Sequence, residues 1–252
     1  MTRVGLAVVV ATAVLAFLGG ALAYLWLPSV QLPGQTWFEA WCSALGVPRQ
    51  WIAPGNVGAP AQASEVVLTH ALTADPSASD VGTGATLALR CTMCHGPTGL
   101  SYANSPNLAG QYAAVTYKQL RDYRSGARAS PIMTAMAQTL SDEQMRQLAA
   151  YYASLPRLRP APHVDDMPAI VRWGAPMRNI APCGSCHGGI DHTMASPWLY
   201  GAPKEYLRTQ LIAFARGERT NDINGQMRVM ARALSPAEID QAAEFYGGSR
   251  VE

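Results

Sequence analysis

What this chain lacks narrows its role before any motif is considered. It has no block of basic residues and no interleaving of aromatics with lysine and arginine, the footprint of a nucleic-acid binder. Charge of neither sign dominates, since 19 Lys+Arg stand against 17 Asp+Glu in 252 residues and leave a formal +2. Strand signals are absent throughout, so the predicted fold class is all-α. Cysteine is scarce: there are five, four in two close pairs plus a single Cys42, and they form no disulfide framework.

Those two pairs carry the chemistry. Cys91-Thr92-Met93-Cys94-His95 and Cys183-Gly184-Ser185-Cys186-His187 both read Cys-x-x-Cys-His, the attachment signature of c-type haem. Each thiolate adds across a haem vinyl group, and one turn of helix sets two sulfurs at the vinyl separation with the histidine aimed at the iron. A zinc pair gives no reason for a histidine directly after both cysteines, and a thioredoxin-like redox pair needs no repetition. The cofactor prediction is therefore two covalently bound haem c groups. Haem c is assembled outside the bacterial cytoplasm, which predicts a periplasmic location for both haem domains.

The N-terminus is read as an anchor in the bacterial inner membrane. Val4 to Leu27 is uncharged and apolar, long enough for a bilayer that needs about 20 residues. Arg3 is the only flanking charge and keeps Met1 on the cytoplasmic side. Ala21-Leu22-Ala23 resembles a signal-peptide cleavage site, but the apolar run continues through Tyr24-Leu25-Trp26-Leu27. Residues 1–28 are thus assigned as a transmembrane anchor and 29–80, rich in Pro, Gly, Ala and Ser, as a tether. Within the tether Thr36 and Glu39 make a capping box that starts a short helix. Trp37, Trp41 and Leu45 share one of its faces, which suits a lipid interface or a membrane partner. Cys42 on that helix reads as a structural thiol; His70, His163 and His192 read as surface histidines.

From Gly84 onward the chain repeats itself. Residues 81–158 form the first predicted haem domain, and 159–252 a proline-rich hinge followed by the second. Tyr117-Lys118-Gln119-Leu120 matches Arg208-Thr209-Gln210-Leu211, and both stretches end at Gly126 and Gly217. The last helix of each unit opens on a capping box, Ser141 with Gln144 and Ser235 with Glu238, the latter with Pro236 at its first position.

The position on iron opposite each histidine decides the chemistry. Each unit offers two methionines in register, Met133 or Met136 and Met227 or Met230. Met133 and Met227 are assigned, because an irregular segment is predicted there that can cross the exposed haem face. The second of each pair, Met136 and Met230, enters a core-like turn. The carbonyls of Pro106 and Pro197 are predicted to hold the free ring nitrogens of His95 and His187. Ser125–Arg128 and Gly217–Arg219 read equally as basic contacts to haem carboxylates or as solvated turns.

These residues resemble the two-haem class I cytochromes c, most closely the cytochrome c4 family. The resemblance rests on both attachment motifs, on Pro106-x-Leu108-Ala109-Gly110-Gln111, on Gln119-Leu120 and Gln210-Leu211, and on Gly217-Glu218-Arg219-Thr220-Asn221-Asp222. It spans about Gly84 to Gly247. It implies two tandem class I cytochrome c domains, with a methionine ligand seven residues before the Leu of each Leu-Ser, at Met133 and Met227. It also implies that Pro106 and Pro197 bond the haem histidines, that haem propionate edges face each other, and that the role is periplasmic electron transfer.

The function expected is accordingly a membrane-anchored electron carrier with no catalytic turnover of its own. It would run from a quinol-oxidising complex or a dehydrogenase to a terminal oxidase or reductase. One alternative is an obligate haem subunit of a larger respiratory complex such as a haem-copper oxidase. Another is a dihaem peroxidase, which needs an open iron where both units here supply a methionine.

Overall fold

The computed structural model describes residues 3–26, 63–69, 72, 76–158, 167–187 and 196–248. The helix expected around Trp37 and Trp41, Cys42, the three surface histidines and residues 159–166 of the expected hinge lie outside the described residues. The chain divides into two compact units, 1–60 and 61–252.

In the first unit α1 (Arg3–Trp26) runs 24 residues, about 36 Å at 1.5 Å per residue, and Arg3 is its one charged residue. Among the described residues no helix is long and apolar enough to cross a membrane, so the expected anchor stands on the sequence of this segment alone.

The second unit holds both repeats. The first begins earlier than the sequence suggested, because α2 (Ala78–Ala88) starts inside the expected tether. Ser77 caps it, its Oγ accepting from the Asp80 N–H at 3.1 Å. Val66 and Leu72 pack on the first core, and Ser64 Oγ donates to Asp122 Oδ1 at 2.6 Å. A Pro- and Ser-rich composition gave no sign of these contacts between the end of the tether and the domain.

After α2 the chain tightens into a 3-10 turn, Leu89–Cys91, and then α3 (Thr92–His95). There follow α4 (Ala113–Ser125), α5 (Pro131–Gln138) and α6 (Asp142–Ser154). α6 packs on both α2 and α4, and α5 packs on α4. The crossing of α2 with α6 is close: a Cβ on Gly84 would lie 2.1 Å from the Gln147 carbonyl oxygen. Met145, Leu148, Ala149 and Tyr152 from α6 and Tyr117 and Leu120 from α4 fill the first core.

The second repeat has the same plan with a shorter beginning. One turn, α7 (Ala169–Arg172), precedes an antiparallel bridge between Ala175 and Ile180. α8 (Lys204–Arg216), α9 (Gln226–Ala233) and α10 (Pro236–Gly247) correspond to α4, α5 and α6. α8 packs on α9 and α10. Both capping boxes are formed, and the N–H groups of Gln144 and Glu238 donate to Ser141 and Ser235 at 3.1 and 3.3 Å. α4 and α8 both end at a left-handed glycine, Gly126 and Gly217.

The two repeats meet through buried polar contacts. Asn107 Nδ2 donates to the Gly201 carbonyl at 2.6 Å, and the Gln111 side chain pairs with both backbone groups of Trp198 at 3.0 Å. Arg157 lies over the rings of Tyr112 and Trp198, at 4.3 and 4.9 Å. Deeper in, the contacts are nearly two-fold symmetric. Arg128 donates to Gln119 (2.6 Å) and Gln210 (2.8 Å), and Arg219 donates to Gln210 (2.7 Å) and Gln119 (3.3 Å). Lys118, ion-paired to Asp122 at 2.5 Å, also reaches the Asn221 carbonyl across the boundary. Arg128 and Lys118 are buried, so the solvated-turn reading of Ser125–Arg128 does not hold: this arginine is part of the joint between the repeats.

Candidate haem sites

Each attachment motif sits on a tight turn. In the first repeat Cys91 closes the 3-10 turn, Cys94 lies exposed on α3, and His95 ends it, buried. In the second repeat the motif is a 3-10 turn, Cys183–Ser185, rather than an α turn. Gly184 inside it is a poor helix former. None of the four motif cysteines is paired in a disulfide, and Cys94 is the most exposed of them.

The imidazoles are positioned alike. His95 Nδ1 lies 2.8 Å from the Pro106 carbonyl oxygen and His187 Nδ1 lies 2.9 Å from that of Pro197. A carbonyl can only accept, so Nδ1 carries the proton and Nε2 is left bare, the tautomer an iron ligand needs. Burial lowers the pKa of both histidines, partly offset by these carbonyl bonds. Both rings therefore stay neutral at physiological pH.

Met133 and Met227 are half-buried, but neither lies in irregular chain. Met133 is the third residue of α5 and Met227 the second of α9. The expectation of a loop missed the start signal Ser130-Pro131: Ser130 Oγ accepts from the Met133 N–H at 3.3 Å, and Pro131 presets the first turn. Met136 and Met230 follow one turn on. Met230 packs against the second core, as expected for the second of each pair, whereas in the first repeat it is Met133 that packs against the core.

Two tyrosines were missed. Tyr152 stands beside the Cys91 sulfur, and Tyr246 OH donates to the His187 carbonyl at 3.3 Å. Burial, first, and then the neighbouring cysteine raise the pKa of each. Each stands eleven places after the serine that caps its helix, an identity across the repeats that the sequence did display.

Taken together, a pair of cysteines beside a buried imidazole of fixed tautomer occurs twice, and these residues fit a covalently held haem at each motif. Comparison with known proteins agrees. The family model described as cytochrome c matches residues 81–156. A cytochrome c4 from Thiocapsa roseopersicina is 37% identical over 166 residues, 63% of this chain and 86% of the relative. The chain belongs to the cytochrome c4 family. A thiosulfate dehydrogenase electron acceptor from Stutzerimonas stutzeri is 40% identical over 176 residues, covering 63% of this chain and 78% of the relative. The crystal structure of reduced recombinant cytochrome c4 from Pseudomonas stutzeri superimposes with a TM-score of 0.61 at 29% identity, over 68% of this chain and 98% of that one. This cytochrome carries two covalently bound haem c groups and is an electron-transfer protein. Cys91, Cys94 and His95 would hold one haem and Cys183, Cys186 and His187 the other; the iron supplies a one-electron couple, and the chain sets its ligation and its access to water.

Proposed function

We propose that this chain is a membrane-tethered, periplasmic two-haem relay that takes electrons from a dehydrogenase and passes them to a terminal oxidase or another reductase. The observation that carries the relay is the pair of equivalent histidine sites in one compact unit, with their repeats joined by a buried polar interface. Met133 and Met227 complete the two irons in this reading, which leaves no open position for a peroxidase reaction. The likeness to a thiosulfate dehydrogenase electron acceptor favours a sulfur-compound dehydrogenase as donor over a quinol-oxidising complex. The uncharged stretch Val4–Leu27 favours an inner-membrane anchor.

Extraction of native membranes in mild detergent tests this, with a native gel stained for covalent haem and mass spectrometry of the band. A lone small band that thiosulfate dehydrogenase and thiosulfate reduce supports the tethered relay. Co-migration with an oxidase makes the chain a fixed subunit instead. Release from membranes by a salt wash removes the anchor from the proposal.

A further inference from the structure

The histidine of the second haem is held by a hydrogen-bond chain that ends in the other repeat. His187 Nδ1–H donates to the Pro197 carbonyl at 2.9 Å. The same peptide group presents the Trp198 N–H on its opposite side, and that N–H donates to Gln111 Oε1 at 3.0 Å. Gln111 is buried, and its orientation is fixed. Oε1 also accepts from the Tyr112 N–H at 3.1 Å, while Nε2 donates to the Trp198 carbonyl at 3.0 Å. Turning the amide over would set donor against donor at both backbone N–H groups. Trp198 is itself clamped, its Nε1–H on the Leu158 carbonyl at 3.0 Å and its ring under Arg157.

We infer that Gln111, a residue of the first repeat, is a positioning residue for the iron ligand of the second, acting through the Pro197–Trp198 peptide on the basicity of His187. Drawing on the N–H of a peptide polarises its carbonyl, and hydrogen bonds in series strengthen one another. A stronger acceptor at Nδ1 makes the imidazole a more basic ligand, which favours the oxidised iron and lowers the potential. The repeats differ here. Among the described residues no acceptor meets the Asn107 N–H on the matching Pro106–Asn107 peptide; the Asn107 side chain instead binds Gly201 and Ser101. Control therefore runs one way, from the first repeat to the second haem. It rests on the two haems and not on which partner supplies electrons.

The test is a spectroelectrochemical titration of the full-length haem-loaded chain, with the two haems told apart by their assigned proton resonances. Gln111→Leu removes the acceptor. It should shift the reduction equilibrium of the second haem towards the reduced form by up to about tenfold, about 59 mV for one electron, and move the His187 ring N–H resonance while that of His95 stays. Gln111→Glu keeps an acceptor oxygen and should leave the second haem at or below its original potential, a reading that survives if the leucine variant fails to assemble. Asn107→Ala removes a different contact across the same boundary and should leave the second haem alone. The inference is overturned if Gln111→Leu leaves the second potential unmoved, or if both haems shift together. It is equally overturned if Gln111→Glu shifts the second haem upward as leucine does, or if Asn107→Ala reproduces the shift.

Discussion

Met133 and Met136 lie one turn apart on α5, and Met227 and Met230 one turn apart on α9; in the proposed relay one of each pair closes the iron opposite its histidine. Packing splits the pairs differently in the two repeats, since Met133 and Met230 are the ones against the cores. Repeat register instead pairs Met133 with Met227, each seven residues before a Leu-Ser. If register decides, Met133→Ala abolishes the methionine-to-iron near-infrared band of the first haem, and Met227→Ala that of the second. Met136→Ala keeps the band and costs at most about 2 kcal/mol of stability, at the low end for a partly buried methionine. A band lost in Met136→Ala reverses the assignment.

At the level of elements, two joints decide stability. The α2–α6 crossing works because Gly84 has no side chain. Gly84→Ala places a methyl group against the Gln147 backbone, which cannot move aside as a flexible side chain could. The helices must separate, at a cost of about 1–3 kcal/mol, read as a lowered denaturant midpoint with unchanged slope. The start of α10 is tied twice. Glu238 accepts from the Ser235 N–H at 2.8 Å and is bridged by Arg178, whose guanidinium also donates to the Ala233 carbonyl at 2.9 Å. The Arg178 bond first, and then the Ser235 backbone, pull the Glu238 carboxyl down to about 2. A depressed carboxylate contributes stability that is whole above its ordinary pKa near 4.5 and is lost as pH falls towards 2. Thermal midpoints should drop across that window in the native chain and drop less in Glu238→Gln, which begins lower.

The same elements show what a sequence displays and what it conceals. Ser141-x-x-Gln144 and Ser235-Pro236-x-Glu238 announced their helices because a cap is a local contact. Pro106 and Pro197 were legible because each follows its histidine by a short loop. α2 was not, since Ala78–Ala88 contains two glycines and little apolar periodicity; burial of Gly84 and Ala88 against α6 forms it. Gln111 and Trp198 stand 87 positions apart, and nothing local to either points to the other.

For the whole molecule the decisive feature is the joint between the repeats. Lys118, Arg128 and Arg219 crowd around one buried carboxylate, Asp122. Burial first, and repulsion from Arg128 second, push Arg219 down to about 10. Burial alone would raise Tyr206, but Arg128 and Arg219 outweigh it and its pKa falls below the ordinary tyrosine value. Arg128 is the keystone, since its guanidinium joins Gln119 of one repeat to Tyr206 (2.9 Å) and Gln210 of the other. Arg128→Leu leaves those partners short of a donor and should cost the coupling between repeats about 2–5 kcal/mol. Each repeat keeps its own core, so calorimetry of the haem-loaded variant should resolve two transitions where the parent shows one. Losing the Arg128 cation also raises Arg219 and Tyr206 together. Carbon resonances of the Tyr206 ring, followed against pH, would show its titration moving upward. A single transition with an unmoved Tyr206 would mean that the repeats are held by the Asn107–Gly201, Gln111–Trp198 and Arg157 contacts, with the buried cluster a passenger in the interface.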